Sequence, residues 1–162
     1  MIGLLRIWNI DSNESALKQL TRLADEKRKS KRPNVPVHAW GSMPPFRDHT
    51  ANELTKSIIE FMEVIGGQAE RINSMGRQIN YGGQTKWIYS TGKNGTADIS
   101  ATWEGISVKI EVKATKGEKQ SEVQKQYQKS IEQAGGIYLL ARSMEGFVFQ
   151  LFKAVEGRNN GR

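Results

Sequence analysis

Hydrophobic periodicity divides the chain into helical and strand-like stretches. Over residues 12 to 32, Leu17, Leu20, Leu23 and Ala24 recur at helical spacing, and Ser12 or Asn13 can cap the start. The helix ends in Lys27, Arg28, Lys29, Lys31 and Arg32, cations that suit a C-terminal helix dipole, and Pro33 and Pro36 stop it. Through Pro45, the segment PNVPVHAWGSMPP has the composition of a linker or an extended, packed strap. A second helix is expected over 51 to 65, where Leu54, Ile58, Phe61 and Ile65 form one apolar stripe that Gly66-Gly67 ends.

After residue 67 the pattern changes to strands. Residues 69 to 73 and 86 to 91 are expected as strands around a Gly-rich polar stretch, Met75 to Gln84. Stronger strand signals cover 97 to 103 and 106 to 114. A polar helix over 120 to 134 ends at Gly135-Gly136, and two short apolar strands follow, IYLLA at 137 to 141 and FVFQLF at 147 to 152. The tail beyond Gly157 is expected to fray. Helix, mixed strands, helix and strands, in that order, indicate an α/β sandwich around one central mixed sheet.

The most informative stretch is ADISATWEGISVKIEVKA, residues 97 to 114. Ile99, Ala101 and Trp103 share one face of its first half; Ile106, Val108, Ile110 and Val112 share one face of its second. Asp98, Ser100 and Thr102 lie opposite, as do Ser107, Lys109, Glu111 and Lys113. With Glu104-Gly105 as a two-residue turn, paired residue numbers sum to 209, so Ile99 faces Ile110 and Asp98 faces Glu111. A slip by one residue would turn every apolar side chain outward. Like charges directly opposite on a sheet repel. A divalent cation between Asp98 and Glu111 would remove that repulsion, and Lys113 on the same face could reach a phosphate held there. Oxygen ligands without His or Cys favour Mg²⁺ or Mn²⁺ over zinc. The same residues read equally well as a solvated polar face on which Lys109 and Lys113 balance Asp98 and Glu111.

Composition narrows the function classes. In 162 residues there are 24 Lys and Arg against 17 Asp and Glu, a formal net charge of +7, which favours polyanionic partners such as nucleic acid. The basic end of the first helix reads either as a solvated helix end or as a DNA-contacting arm. No cysteine is present, which excludes disulfides, thiolate metal sites and Cys nucleophiles. No apolar run reaches the length of a membrane span. The start, MIGLLRIWNIDSNES, lacks the basic residues and cleavage site of a signal peptide, so a cytoplasmic location is expected. His38 and His49 have no third partner in view and read as structural or exposed.

Asp98 followed by Glu111-Val112-Lys113 in the next strand resembles the core of the PD-(D/E)XK nucleases, and more narrowly the VRR-NUC family. The resemblance includes Arg71-Ile72-Asn73 after Gly66-Gly67, Gly95-Thr96-Ala97-Asp98-Ile99, Glu111-Val112-Lys113-Ala114, Gly117, Gln124, and Ala134-Gly135-Gly136. It covers residues 50 to 142. Ala97 departs from it, standing where the family often has proline.

This resemblance implies a restriction-endonuclease-like core at residues 48–157, preceded by a basic helical arm and Pro-containing linker at 1–47 and followed by a flexible tail at 158–162. It implies a Mg²⁺- or Mn²⁺-dependent DNA endonuclease for branched, nicked or flapped DNA, of the stand-alone type found in phages and bacteria. Asp98, Glu111, Glu53 and the Val112 carbonyl would bind metal. Lys113 would stabilise developing charge, because two carboxylates and a phosphate raise rather than lower its pKa. Gln124 would position Lys113 or a phosphate. Glu53 also completes a capping box with Thr50. Arg71, Asn73, Arg77, Lys86 and Lys116 would contact DNA, and a homodimer would set two sites on two strands. Competing readings are a non-catalytic nucleic-acid-binding module on the same fold and a small restriction-type endonuclease.

Overall fold

The computed structural model describes residues 8, 13–72, 77–88 and 95–159. Helix α1 spans Ala16–Ser30 and is capped by Ser15, whose hydroxyl accepts from Lys18 N, rather than by Ser12 or Asn13. Helix α2, Ala51–Val64, starts at a capping box closed by Thr50 and Glu53. Strand β1 is Gln68–Arg71, β2 is Arg77–Tyr81, β3 is Gln84–Ile88, β4 is Ile99–Trp103 and β5 is Ile106–Val112. Helix α3, Glu122–Gln133, strand β6, Ile137–Ala141, and helix α4, Met144–Asn159, complete the chain.

Four strands form one mixed sheet in the order β1-β4-β5-β6, antiparallel except for the parallel pair β5 and β6. The β4–β5 pairing runs from Trp103 opposite Ile106 to Ile99 opposite Ile110, the register inferred from the turn. Both turn residues have positive φ, Glu104 at 48° and Gly105 at 78°, which suits the right-handed twist of the strands it joins. The architecture is therefore α/β, with a four-stranded mixed sheet flanked by helices.

Apolar residues on one sheet face meet α1, α2 and α4 in a single core. Ile99, Ala101, Trp103, Val108, Ile110, Ile137 and Leu139 contribute from the strands, Leu54, Ile58, Phe61 and Met62 from α2. Phe61 sits at its centre, in edge-to-face contact with Trp8 at 4.7 Å and Phe147 at 5.6 Å. Leu20 and Leu23 of α1 enter the same cluster. The first helix is thus packed into the body of the fold rather than extended from it as an arm.

Its basic end is also largely paired. Arg28 and Lys29 both bind Asp25, at 2.5 and 2.6 Å, and Lys27 bonds the Glu63 carbonyl at 2.9 Å. Arg28 lies over the Trp40 ring at 5.0 Å and donates to the Gly41 carbonyl, which ties down the segment after Pro33. Phe46 N donates to Thr21 Oγ1 and Ser57 Oγ to the Arg47 carbonyl, so this segment is a packed strap.

Two stretches differ from expectation. FVFQLF is helical, not a strand: Met144, Phe147, Val148, Leu151, Phe152 and Val155 are buried at helical spacing, while Phe149 is 62% exposed. A short apolar run satisfies both periods, and Met144 and Val155, outside the run, complete the helical face. The helix continues through Asn159, and Arg158 donates to the Gly135 and Gly136 carbonyls where the chain was expected to fray. The polar stretch Met75 to Gln84 contains β2, joined to β3 by Gly82-Gly83, both at positive φ. This two-stranded hairpin is separate from the main sheet. No helix among the described residues is long and apolar enough to cross a membrane.

Candidate functional site

The second sheet face carries Ser107, Lys109, Glu111 and Lys113 of β5 and its extension, and burial deepens along it. Ser107 is exposed, Lys109 is half-buried and bonds Ser100 Oγ, and Glu111 and Lys113 are only 2% and 7% exposed. Helix α3 covers this end of the face. Its side chains reach down to the sheet, with Gln124 on Glu111 and Tyr127 edge-to-face with Tyr138 at 6.2 Å. The solvated-face alternative therefore fails for Glu111 and Lys113, because charged residues are almost never fully buried unless paired.

The pairing is dense. Glu111 Oε1 accepts from Lys113 Nζ at 3.0 Å and from Gln124 Nε2, while Oε2 accepts from the Tyr138 hydroxyl at 3.4 Å. Lys113 Nζ also meets Glu118 at 3.3 Å. Its backbone N–H donates to the Ala141 carbonyl at 2.8 Å, so β6 fixes where the side chain leaves the sheet. Asp98 is half-buried, and its Oδ2 accepts from Val112 N at 2.9 Å. Its carbonyl accepts from Ile72 N at 2.8 Å. One further step of the β4–β5 register sets Asp98 opposite Glu111.

Burial pushes the Glu111 carboxyl above the usual carboxylate range, and the neighbouring Asp98 charge adds to this, against the opposing effect of Lys113. Burial works against the Lys113 charge as well, but its bonds to Glu111 and Glu118 outweigh burial and hold its pKa above the ordinary value. Lys113 is thus a cation in this site.

Gln124 occupies the third position of α3. Its amide oxygen accepts from Ser121 N at 2.9 Å, closing a capping box, and its amide nitrogen is the group on Glu111. Glu53 is engaged in the other capping box: its Oε2 accepts from both Thr50 N and Thr50 Oγ1 at 3.1 Å. Among the described residues no three or more His, Asp and Glu side chains gather as a ligand group. Asp98 and Glu111 are the two carboxylates here that could hold a hard cation through oxygen.

Of the residues expected to meet DNA, Arg71 is exposed and donates to Asn52 Oδ1 at 3.0 Å, which links β1 to the first turn of α2. Lys116 is exposed in the connection after β5. Arg77 and Lys86 belong to the β2–β3 hairpin, paired with Ile88 and Ile79. Asn73 lies outside the described residues.

Sequence reasoning missed Tyr138, Glu118 and Arg142. Arg142 donates to the Glu118 carbonyl at 2.7 Å, holding the connection that carries Glu118 beside Lys113. Tyr138 carried a usable signal, the one hydroxyl in an otherwise apolar strand. A cavity of about 500 Å³ lies elsewhere, between α1 and the strap, lined by Leu17, Thr21, Trp40 and Phe46 among others. It shares no residue with the Asp98–Glu111–Lys113 group. No protein-family model, curated protein or solved structure matches this chain.

Proposed function

We propose that the protein is a metal-dependent DNA endonuclease of the PD-(D/E)XK type, similar to the VRR-NUC family, with Asp98, Glu111 and the Val112 carbonyl as ligands for Mg²⁺ or Mn²⁺. The observation that carries this reading is the burial of Glu111 and Lys113 as a pair at the end of β5, beside Asp98. Burying an ion pair contributes little to stability relative to apolar residues of the same volume, so its presence calls for a chemical reason. The element order also supports a restriction-endonuclease-like core, with β4 and β5 as the ligand-bearing hairpin and α3 crossing to the parallel strand β6.

A divalent cation supplies Lewis acidity toward a phosphate and lowers the pKa of bound water. Asp98 is oriented by Val112 N, and Glu111 by Gln124 and Tyr138. Lys113 stabilises the charge that develops on the phosphate, moving one of its N–H groups from Glu118 to the substrate. The partner is DNA, with structured or branched forms as the preferred substrate class and a homodimer as the natural way to cut two strands. The cytoplasm is the proposed compartment. Net charge +7 supports a polyanion, and no Asp or Glu lies between Glu70 and Asp98. A pure nucleic-acid-binding module gains nothing from a carboxylate pair facing phosphates.

The test is incubation of the protein with plasmid, fork and four-way-junction DNA in Mg²⁺, Mn²⁺ or chelator, beside Glu111→Ala. Cutting that requires metal and is lost in the variant is expected. Cutting in chelator, or full activity of the variant, would overturn the mechanism, and binding without cutting in every metal would make the protein a binding module.

A further inference from the structure

We propose that Tyr138 is a positioning residue that fixes the plane of the Glu111 carboxylate for cation binding. This rests on the metal site proposed above and adds a residue outside the Asp–Glu–Lys pattern. In β6, alternation sends Ile137, Leu139 and Ala141 to the apolar core and Tyr138 to the opposite face, where β6 runs parallel to β5 with Tyr138 beside Lys109 and Leu140 beside Glu111. Tyr138 is 7% exposed, and its ring packs edge-to-face against Tyr127 of α3. Phenylalanine would fill that volume and keep that ring contact. The hydroxyl therefore needs another reason, since a buried hydroxyl is unfavourable unless it finds a partner.

Its partner is Glu111 Oε2, at 3.4 Å. A carboxylate only accepts hydrogen bonds, so the hydroxyl is the donor and its direction is fixed. The ring contact with Tyr127 holds Tyr138 from the α3 side.

The two Glu111 oxygens are held differently. Oε1 takes both Lys113 and Gln124, whereas Oε2 takes Tyr138. Oε1 is crowded by two donors, so Oε2 is the oxygen with capacity for an incoming cation. Its long bond to Tyr138 leaves room for a metal on another lone pair. Without the hydroxyl, the contacts at Oε1 still fix that atom, but the carboxylate can turn about it and Oε2 loses its direction. Partners that orient a metal ligand typically change metal affinity by 10–100-fold when removed.

The experiment compares the wild-type full chain with Tyr138→Phe and Tyr127→Phe, titrated with Mn²⁺ by electron paramagnetic resonance in the absence of DNA. Cleavage is then measured as a function of metal concentration. Tyr127→Phe is the packing control, since it alters the same ring pair without touching Glu111. Tyr138→Phe should weaken Mn²⁺ binding by about tenfold or more. Excess metal should restore its kcat, the KM for DNA should hold, and Tyr127→Phe should bind Mn²⁺ as wild type. Wild-type affinity in Tyr138→Phe, or equal loss in Tyr127→Phe, would overturn the proposal. A wild type that binds no Mn²⁺ would overturn it together with the metal site. A wild type that binds Mn²⁺ but cuts no DNA, with binding weakened in Tyr138→Phe, would keep Tyr138 in its role and reject the nuclease reading alone.

Discussion

Gln124 holds Glu111 with its amide nitrogen while its amide oxygen closes the N-terminal capping box of α3. A glutamate could close the same box, since the cap needs only an acceptor, but it could not donate to Glu111. Glutamine is the side chain of this length that accepts at one end and donates at the other. The start of α3 and the site on β5 are therefore linked through one side chain. Gln124→Glu should keep the helix cap and place a second acid against a buried one. In chelator we expect it to be destabilised by about 1–3 kcal/mol, with part of the loss recovered in saturating Mn²⁺. Equal thermal melts of variant and wild type in chelator would contradict this account of Gln124.

Asp98 separates charge from geometry. Its Oδ2 takes the Val112 N–H at 2.9 Å, a bond that an asparagine oxygen can also make. Asp98→Asn should stay within about 1 kcal/mol of wild type in stability, while cleavage falls by about 10²–10³-fold, the scale of losing one preorganised contact to developing charge. Asp98→Ala should lose both. An Asp98→Asn protein with wild-type cleavage rates would remove the aspartate from the proposed metal site.

The hairpin of β4 and β5 was legible in the sequence because alternation and turn length both constrain it. Ile99, Ala101, Trp103, Val108 and Ile110 cannot face water together, and a two-residue turn at Glu104-Gly105 leaves one register. The depth of Glu111 and Lys113 was not legible. It depends on where α3 lies, and a helix with no buried residue of its own leaves little trace in its pattern. The same reason hid Tyr138 and Glu118, whose roles come from tertiary neighbours. FVFQLF was misread because a six-residue apolar run carries no period of its own. Strand β2 was hidden by the glycines beside it, which belong to its turn.

The α1 cluster gives a pH dependence of stability. Asp25 is held below its ordinary pKa, first by its bond to Lys29 and then by Arg28, with burial opposing. A carboxyl whose folded pKa is depressed contributes stability that is present above its unfolded pKa and lost as pH falls through the folded value. Asp25→Asn should therefore melt below wild type at neutral pH, and the two melting temperatures should converge in acid, below the usual carboxylate range. A gap that is constant with pH would mean that the pairing is not electrostatic.

Glu53 is spent on the α2 cap. Its carboxylate takes Thr50 N and Oγ1, and Thr50 in turn takes Glu53 N at 3.2 Å. Thr50→Ala should lower stability by about 1 kcal/mol. Glu53→Gln, which can still close the box, should change little in stability and leave cleavage near wild type. A loss of cleavage in Glu53→Gln comparable to that in Asp98→Asn would return Glu53 to the metal site.

The β2–β3 hairpin offers a test of the proposed DNA interface. From Arg71 to Ala97 the only charged residues are Arg71, Arg77, Lys86 and Lys93, and the hairpin leaves the main sheet between β1 and β4, the strand that follows Asp98. Neutralising one phosphate contact changes the slope of log affinity against log salt by about 0.9 on duplex DNA. The double variant Arg77→Ala with Lys86→Ala should thus bind duplex DNA more weakly and with a slope shallower by about 1.8. A thermal melt of the double variant beside wild type separates loss of DNA contact from loss of fold. Fluorescence anisotropy in chelator, where no cutting intrudes, reads both quantities. Weaker binding with an unchanged slope would mean that the hairpin acts through shape or base contacts, and unchanged binding would remove it from the DNA interface.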